Sequence, residues 1–399
     1  MRIVVYTGKG GVGKTSVAAA TAVQLASEGL RTLVLSTDAA HSLSDSFDFA
    51  LGSEPVQIAD RLWGLEVDSM RETEKHWGAV QSWLTSMMSW AKLNDVSTEE
   101  MLVFPGMEEM FSLLQIKRYA HSGEFDAIVV DCAPTGETLR LLSYPNVLSW
   151  WVEKIFPYER RLVKLVRPVA KFVTGGMELP DEGVMDTIES FVKELEDLQL
   201  LLLDKDITSI RLVTIPEKMV VAEARRAFTY LNLFGFNTDT IIVNRVLPPE
   251  AGKGYWREWR EIQAKYEQEI QESFSPLPII RIPMQPSEVL GLPMLAKMGE
   301  AAFAELPASG VHYVGHVQEV RKESGIYFLD LALPFVQKEE LQLSQKGDEL
   351  TVQAGRYKRK VLLPRVLFGR PIEGARFNEA KLSIRFGERE SLSAVEEKR

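Results

Sequence analysis

The sequence predicts an α/β fold built on a parallel sheet, followed by a small all-β domain. Three observations lead to this prediction. Short apolar runs alternate with helical patterns over most of the chain, a glycine-rich loop joins the first apolar run to the first helix, and the helical period ends near Leu306. Such alternation is typical of a parallel sheet with helices on both faces, whose ligands lie at the carboxyl ends of the strands.

The α/β part contains apolar runs of strand length that are rich in β-branched residues. The predicted strands are Ile3–Thr7, Thr32–Thr37, Ala127–Val130, Arg211–Ile215, Thr240–Asn244 and Ile279–Ile282. Segments with a helical period separate these strands, and the predicted helices include Ser16–Glu28, Lys218–Phe234 and Tyr255–Ser273. We assign residues 1–306 to this part.

Beyond the Pro/Ser/Gly-containing stretch that follows Leu306, apolar and polar residues alternate as they do in half-buried strands. The predicted strands there are Ile326–Leu333, Leu341–Ser344, Leu350–Ala354, Lys360–Leu363 and Lys381–Phe386. We expect an all-β domain over residues 311–388 and a flexible polar tail over residues 389–399.

Composition narrows the class of protein. The chain has 399 residues and a net charge of −10, which argues against a general nucleic-acid-binding protein. No apolar run approaches the roughly 18 residues of a membrane span, so we predict no integral membrane segment. The first strand begins at about Arg2, which leaves no room for a signal peptide. The single cysteine, Cys132, excludes an internal disulfide bond and favours the cytoplasm.

The glycine-rich loop has the phosphate-binding pattern G-x-x-x-x-G-K-[ST], with a strand before it and a helix after it. We expect Lys14 to reach the β- and γ-phosphates of a nucleotide and the Thr15 hydroxyl to bind Mg²⁺. A glycine-rich stretch alone would be only a turn, but the complete pattern in this context favours a nucleotide site. The expected nucleotide-binding residues here are Gly8, Lys9, Gly10, Gly11, Val12, Gly13, Lys14, Thr15 and Ser16.

Two acidic residues stand at the ends of predicted strands. Asp38 follows the second strand and is the candidate to orient or deprotonate a water molecule. Asp131 follows four apolar residues, which is the Walker B arrangement, and we expect it to hold Mg²⁺ through water. Gly136 gives the following turn freedom to respond to the γ-phosphate. Either acid could instead cap a helix, so the order of the motifs carries more weight than each motif alone.

Three segments together resemble the motifs of the ArsA-type ATPases: Gly8–Thr15, Ser36–Ser42 and Asp131–Leu142. That family includes the arsenite-pump ATPase and the ATPase that targets tail-anchored membrane proteins, and the likeness covers the whole α/β part. The resemblance implies a homodimer that hydrolyses ATP with Mg²⁺. It also implies that Asp38 is the catalytic acid and that Lys9 crosses the dimer interface to the partner's nucleotide. Lys9 could instead be a solvated surface lysine.

By the same resemblance, three later residues contact the nucleotide. Glu217 is the last residue of Ile215-Pro216-Glu217, which resembles the family's Ile-Pro-Glu motif. In the family, the glutamate of that motif contacts nucleotide in the dimer. Asn244 resembles the asparagine that recognises adenine in the family. Pro283 lies where family members usually have a residue that lines the adenine base. On the residues alone, Glu217 could be a helix-start acid and Asn244 a turn residue at a strand end.

The sequence also departs from the family pattern. Ala39 stands where the first switch usually has proline, and Glu137 stands where the second usually has histidine. The Cys-x-x-Cys that clamps the targeting ATPase's dimer with zinc is absent, as are the cysteines that bind arsenite or antimonite in the pump. We therefore expect no zinc, and a metalloid pump is the weaker interpretation.

The segment from Met70 to Met185 is rich in methionine and tryptophan and does not have a strand pattern. We assign a helical insert to about residues 70–120 and 145–205. An apolar stripe at helical spacing is normally part of a core, but methionines also line adaptable hydrophobic grooves. In the resembled targeting ATPases this stretch builds the client groove, so the candidate groove residues are Trp83, Met87, Met88, Met107 and Met110.

The all-β domain resembles an α-crystallin (small heat-shock protein) domain over about Tyr313 to Phe386. The likeness lies in Leu331-Ala332-Leu333-Pro334-Phe335, in Gly347–Val352 and in Lys360–Pro364. A generic β-sandwich is the alternative. An ArsA-type ATPase with this tail and without Cys-x-x-Cys resembles the subgroup of cyanobacteria and plastids, which implies the cytoplasm, or the plastid stroma for an organellar relative.

Together these observations predict a homodimeric ATPase whose nucleotide opens and closes a groove for a hydrophobic helical client or membrane-protein precursor. In this hypothesis Asp38 positions water, and Lys14 and Mg²⁺ neutralise phosphate charge. The alternatives are an ATP-modulated holdase chaperone, a small-ligand carrier and an arsenite-pump subunit. A partitioning ATPase of the related deviant-loop group would not need the methionine-rich insert.

Overall fold

The computed structural model describes residues 1–37, 42–68, 71–72, 74, 78, 107–132, 182–252, 254–274, 277–315, 318–333, 341–347, 349–354, 357–363 and 365–388. The chain divides into two compact units: residues 1–208 with 287–309, and residues 209–286 with 310–399. The predicted fold class is confirmed, because an α/β part with parallel strands is followed by a separate antiparallel β part.

The described strands and helices are as follows. The strands are β1 (Arg2–Gly8), β2 (Thr32–Ser36), β3 (Val56–Ala59), β4 (Leu62–Glu66), β5 (Ala127–Asp131), β6 (Thr208–Thr214), β7 (Thr238–Val246), β8 (Ile279–Pro283), β9 (Gln318–Glu323), β10 (Ile326–Ala332), β11 (Leu341–Lys346), β12 (Glu349–Ala354), β13 (Tyr357–Leu362), β14 (Ile372–Asn378) and β15 (Lys381–Phe386). The helices are α1 (Lys14–Ser27), α2 (Ser42–Phe47), α3 (Met107–Ser122), α4 (Glu182–Leu203), α5 (Lys218–Leu233), α6 (Arg257–Phe274) and α7 (Gly291–Ala302). Short 3-10 turns occupy Pro249–Gly252, Gly254–Trp256 and Arg365–Leu367.

In the first unit the strands lie in the order β3-β4-β2-β5-β1. β1, β2, β4 and β5 are parallel, and β3 runs antiparallel to β4. Every residue of β1, β2 and β5 is buried, as expected for strands covered on both faces. β3 and β4 have no predicted counterpart, because β3 is largely exposed and a glycine and a tryptophan interrupt the aliphatic run of β4.

Helix α1 follows the glycine loop and lies on the sheet. Its alanine-rich sequence favours a helix, and its buried side includes Val17 and Leu25. It ends where Gly29 adopts φ +94°, the left-handed conformation that often terminates helices. α1 packs against α7, where a Cβ on Gly299 would lie 2.7 Å from the backbone oxygen of Ala20. The glycine therefore permits the close approach of the two helices.

The second unit contains three parallel strands in the order β6-β7-β8, with α5 following β6 and α6 following β7. The prediction of alternating strands and helices is confirmed here. The predicted helix Tyr255–Ser273 begins two residues later, at Arg257, because a 3-10 turn precedes it.

A buried ion pair joins β6 and β7 of this unit to the segment that leads into the β domain. The Arg211 Nε atom lies 3.5 Å from Asp239 Oδ1, and both side chains are fully buried. Arg211 also donates to the Gly310 carbonyl at 3.1 Å, and the His312 amide donates to Asp239 at 3.2 Å. Because these partners are far apart in sequence, the contacts fix the start of the β domain on the unit's own strands.

The β domain consists of a four-stranded antiparallel sheet, β14-β15-β10-β9, and a three-stranded antiparallel sheet, β11-β12-β13. Alternate residues of the strands form its core. The core includes Leu329, Leu331, Leu333, Leu350, Val352, Leu363, Leu367, Leu382, Ile384 and Phe386. The all-β prediction is confirmed. β9 and β14 were missing from it, because the sequence of β9 is mostly polar and β14 is mostly exposed and lacks a regular alternation.

Candidate nucleotide site

The loop between β1 and α1 has the backbone that the phosphate-binding pattern requires. Gly11 adopts φ +81°, and Gly13, which precedes the first helical residue, adopts φ +87°. Residues with a Cβ rarely adopt these angles, so glycine is required at both positions. The side of the loop at Gly10 and Gly11 is open, because a Cβ there would meet nothing within 4 Å. The backbone can therefore approach a ligand closely.

The start of α1 favours an anion. The first amides of a helix have no partner within the helix, and the helix dipole adds positive potential at this end. No acidic residue lies in the first turn of α1. The loop segment contains two lysines: Lys14, which is 6% exposed, and Lys9, which is half-buried. Val12 is buried beneath it. An anionic ligand fits this arrangement.

Thr15 is linked by hydrogen bonds to the segment that follows β2. Its hydroxyl lies 3.2 Å from the hydroxyl of Ser42, the first residue of α2. Glu66, at the end of β4, accepts hydrogen bonds from the Leu43 and Ser44 amides at 3.0 and 2.9 Å and from the Ser44 hydroxyl at 2.7 Å. The carboxylate thus caps α2 and holds Ser42 beside Thr15.

Ser42 and Glu66 were not among the candidate residues of the sequence analysis. The signal that could have revealed Glu66 is an acid that closes the four-residue run Leu62–Leu65, as Asp131 closes the four-residue run Ala127–Val130. Its partners could not be read from the sequence, because they depend on the parallel pairing of β2 with β4, which brings Ser36 beside Glu66.

Asp131 is the last residue of β5 and is 1% exposed. Its neighbours in the sheet are Tyr6 on β1 and Ser36 on β2. The amide of Thr37 donates to the Asp131 carbonyl at 3.0 Å, which ties the end of β2 to the end of β5. The Thr15 hydroxyl and the Asp131 carboxylate are oxygen donors of the kind that Mg²⁺ prefers.

Several predicted residues lie outside the described part of the chain. These are Asp38, Ala39, Gly136, Glu137, Trp83, Met87 and Met88. Met107 and Met110 lie in α3, whose backbone is described there but whose side chains at these positions are not. The catalytic role of Asp38 and the client groove therefore stay predictions.

Three predicted nucleotide contacts lie in the second unit, at the carboxyl ends of its parallel strands. Glu217 is exposed and directly precedes α5. Asn244 is 5% exposed on β7, and its Oδ1 accepts the Arg245 amide at 2.9 Å. Pro283 closes β8 and pairs with Val246. Arg245 has φ +55°, a strained conformation of the kind found at functional sites. The nucleotide roles of these residues stay predictions.

Two negative findings concern the described residues only. Within that part of the chain, no group of three or more His, Cys, Asp or Glu side chains could hold a metal ion. In the same residues, no helix is both long and apolar enough to span a bilayer.

A parallel sheet, a glycine loop with two left-handed glycines and an anion-favouring helix start define the class of P-loop nucleotide hydrolases. The family model described as anion-transporting ATPase matches residues 1–303, and the model of the HSP20-like domain found in ArsA matches residues 324–386. The chain therefore belongs to the ArsA family of ATPases and carries the family's HSP20-like domain at its carboxyl-terminal end.

Similar proteins have been named in two ways. A putative arsenical pump-driving ATPase of Chlorobaculum tepidum is 41% identical over 388 residues, which are 97% of this chain and 96% of that protein. ATPase GET3C of Arabidopsis thaliana is 34% identical over 313 residues, covering 73% of this chain and 80% of that protein. ATPase GET3 of Phaeosphaeria nodorum is 28% identical over 306 residues, covering 74% of this chain and 93% of that protein. ATP hydrolysis is common to these relatives, and the chain is an ATPase.

Proposed function

We propose that the chain is a homodimeric switch that hydrolyses ATP and binds hydrophobic helical clients in a groove gated by the nucleotide. The observation that carries this proposal is the bond between Thr15 in the phosphate loop and Ser42 in α2. It connects the place where phosphate is expected to a short helix that the nucleotide could shift. A switch needs such a connection, since a ligand can change a conformation only by contacting its two states differently.

The loop residues have distinct parts in the proposed reaction. Loop amides and Lys14 hold the β- and γ-phosphates of ATP, and the ammonium group compensates phosphate charge. Thr15 and Asp131 would hold Mg²⁺, the latter through water, and the ion would neutralise charge on the β- and γ-oxygens. Burying the ammonium of Lys14 is costly without an anion, so a phosphate beside it is physically reasonable.

Asp38 is the proposed group that positions the attacking water. It follows Thr37 directly in the chain, and the Thr37 amide is bonded to Asp131, a proposed Mg²⁺ residue. On its other side, the segment 38–41 is followed by Ser42, which is hydrogen-bonded to Thr15. The two residues that flank this segment are thus bonded to proposed Mg²⁺ residues, and changes at the γ-phosphate would act on the segment between them.

Lys9 is the proposed contact to the partner's nucleotide. A cation that neutralises charge from across an interface is worth roughly 10³–10⁵ in rate in enzymes that use one. Its half-buried position in the loop leaves part of the side chain at the surface. Because the chain has a single cysteine, a zinc clamp made of two Cys-x-x-Cys pairs cannot hold this dimer.

The client proposal rests on composition and on the resemblance to ATPases that target tail-anchored membrane proteins. Trp83, Met87 and Met88, with Met107 and Met110, supply large adaptable apolar side chains. A client helix that buries about 500 Å² of apolar surface would gain roughly 12 kcal/mol before the costs of association. The costs of association and ordering remove much of this gain, so a groove that binds in one nucleotide state and releases in the other is energetically feasible.

The relatives named as putative arsenical pump-driving ATPases favour a second candidate, the catalytic subunit of a metalloid pump. Against it, Cys132 is the only cysteine and is fully buried, so one chain cannot offer a set of thiols to arsenite. Arsenite-stimulated ATP hydrolysis by the purified protein would support the pump and contradict the switch.

The HSP20-like domain supports a holdase chaperone as a further candidate function. Suppression of aggregation by the full chain without nucleotide would favour that function.

The variant Asp38→Asn tests the proposed switch. It should bind ATP with near wild-type affinity, hydrolyse it at least about 100-fold more slowly and retain a peptide of about 20 apolar residues that the wild type releases. Lys14→Ala is the control for loss of nucleotide binding, and Lys9→Ala should lower the hydrolysis rate with ATP affinity largely kept. Full-rate hydrolysis by Asp38→Asn would remove Asp38 from its role, and equal peptide binding in all nucleotide states would end the gated-groove proposal.

A further inference from the structure

A β-bulge lies near the end of β7, in the second unit. The pairing with β8 shifts between Val243 and Val246, so that two residues of β7, Asn244 and Arg245, lie opposite one residue of β8. Arg245 adopts φ +55°, a left-handed conformation that is unfavourable for a residue with a Cβ. Bulges are common beside functional sites, where they redirect a side chain. The surrounding structure must therefore support this conformation, and the bulge contains the expected adenine contact.

The side chain of Gln263 on α6 supplies this support. It is 8% exposed and uses both ends of its amide. Its Nε2 atom donates to the Arg245 carbonyl at 3.2 Å, and its Oε1 atom accepts the Leu247 amide at 2.8 Å. The two bonds fall on either side of Val246, so one side chain binds the backbone much as a neighbouring strand would. Because a buried backbone group without a partner is costly, these bonds stabilise the course of the chain through the bulge.

Contacts within the unit hold α6 in place. The Glu267 carboxylate lies 3.5 Å from the Arg281 guanidinium of β8. Phe274 is fully buried and packs edge to face on Phe228 of α5. The helix is thus attached both to the strand that pairs with β7 and to a neighbouring helix. Gln263 therefore presents its amide to the bulge from a rigid element, which is the requirement for positioning a functional group precisely.

The conformation of the bulge determines the direction of the Asn244 side chain. The Oδ1 atom of Asn244 accepts the Arg245 amide at 2.9 Å, so the orientation of this side chain follows the peptide group between the two residues. The next peptide group carries the Arg245 carbonyl, to which Gln263 donates. A rotation about φ or ψ of Arg245 would change the angle between these two peptide groups. Gln263 therefore acts on Asn244 through the backbone of Arg245.

An asparagine amide in a fixed orientation can distinguish adenine from guanine. Its oxygen has a second lone pair that can accept the adenine amino group, while its nitrogen donates to a ring nitrogen of the base. Guanine carries an oxygen where adenine carries the amino group, so two acceptors would face each other. Because hydrogen bonds weaken steeply with poor angles, a reoriented amide would lose much of this discrimination.

We propose that Gln263 is a positioning residue for base recognition, which holds Arg245 in its left-handed conformation and thereby directs Asn244 at adenine. This inference rests on the ATP-driven switch proposed above and on its adenine contact at Asn244. The role concerns the base and not the triphosphate. Gln263 should therefore determine the preference for ATP over GTP and have little effect on kcat at saturating ATP.

Equilibrium binding of non-hydrolysable ATP and GTP analogues to the full chain tests this role. Gln263→Leu keeps the approximate size of the side chain and removes both bonds. It should lower the ratio of the GTP to the ATP dissociation constant about 10-fold, which corresponds to one hydrogen bond to the base. Gln263→Glu keeps an acceptor for the Leu247 amide but has no donor for the Arg245 carbonyl, so it should lower the ratio as well.

A second substitution should rescue the first. Arg245→Gly added to Gln263→Leu should restore most of the ratio, because glycine adopts the left-handed conformation without support. Gln268→Leu is the matched control, since Gln268 is an exposed glutamine of the same helix. A merely structural role would weaken the binding of both nucleotides equally. An unchanged ratio in Gln263→Leu, no rescue by Arg245→Gly, or an equal effect of Gln268→Leu would overturn the proposal.

Asn244→Ala separates this inference from the proposed function. If Asn244→Ala lowers the ratio and Gln263→Leu does not, the role of Gln263 fails and the adenine contact stands. If neither variant changes the ratio although ATP binds, the adenine contact at Asn244 fails and the inference fails with it. If both variants lower the ratio but no apolar peptide is captured with ATP, the switch fails and the role of Gln263 stands.

Hydrogen exchange of the nucleotide-free protein checks the support of the bulge by itself. The Leu247 amide should exchange at least about 10-fold faster in Gln263→Leu, because it loses its acceptor. It should keep its protection in Gln263→Glu and in Gln268→Leu. Unchanged protection of Leu247 in Gln263→Leu would show that Gln263 does not hold this part of the backbone and would overturn the proposal.

Discussion

Replacing Glu66 by alanine should destabilise the first unit, because three hydrogen bonds to α2 end on this carboxylate. The amide of Leu43 belongs to a residue with no exposed surface, and a buried donor without an acceptor costs about 1–3 kcal/mol. Loss of a capping side chain costs about 0.5–2 kcal/mol more. For a unit of this size, a loss near 3 kcal/mol corresponds to a fall of about 6–12 °C in melting temperature.

The same change should slow ATP hydrolysis below the melting temperature, since α2 carries Ser42 and Ser42 contacts Thr15. We expect kcat to fall more than the affinity for ATP, because the phosphate loop itself is unchanged. Glu66→Gln keeps one acceptor oxygen and should recover part of both losses. Glu300→Ala is the matched control, because Glu300 is an exposed acid on α7.

Thermal unfolding and single-turnover hydrolysis separate the two parts of this argument. A wild-type melting temperature for Glu66→Ala would show that the capping bonds do not stabilise α2. A lowered melting temperature with an unchanged hydrolysis rate would show that the link from Glu66 through α2 to Thr15 takes no part in the reaction cycle. A comparable effect of Glu300→Ala would attribute both changes to loss of charge alone.

Three further predictions concern stability and are checked by thermal unfolding. Gly299→Ala should cost about 1–3 kcal/mol, because its Cβ would lie 2.7 Å from a backbone oxygen of α1; an unchanged melting temperature would contradict this packing. Ala380 has φ +59° in the turn between β14 and β15, so Ala380→Gly should stabilise the β domain by about 0.5–1 kcal/mol, whereas Ala375→Gly within β14 should destabilise it. The guanidinium of Arg31 donates hydrogen bonds to Asp126 and holds the pKa of that carboxyl well below its usual range. Asp126→Asn should therefore be less stable than the wild type above about pH 4, with a difference that shrinks at lower pH; a difference independent of pH would refute the assignment.

Local sequence was sufficient for the six strands predicted in the α/β part and for the helices α1, α5 and α6, because each has a continuous apolar run or a helical period of its own. The phosphate loop was predictable for the same reason. Its function depends on glycines and a lysine at fixed spacing, and the left-handed angles at Gly11 and Gly13 are the conformations that such a pattern requires. The HSP20-like domain was recognisable from alternation and from short motifs.

Elements that depend on distant partners were missed. β3, β9 and β14 are polar or exposed and form only because neighbouring strands supply their hydrogen bonds. The role of Glu66 was missed because a carboxylate after a short apolar run has no meaning until β4 pairs with β2 and the helix start lies beside it.

By itself, the sequence determined the class of this protein: a phosphate loop between a strand and a helix, two acids at strand ends and a β domain after the α/β part. Those features are local, and backbone preferences act over a few residues. Only the tertiary structure decided which groups meet: Glu66 with the start of α2, Ser42 with Thr15, and Gln263 of α6 with the backbone at the end of β7. Such contacts join residues that are far apart in the chain, and their geometry follows from strand order and packing rather than from spacing.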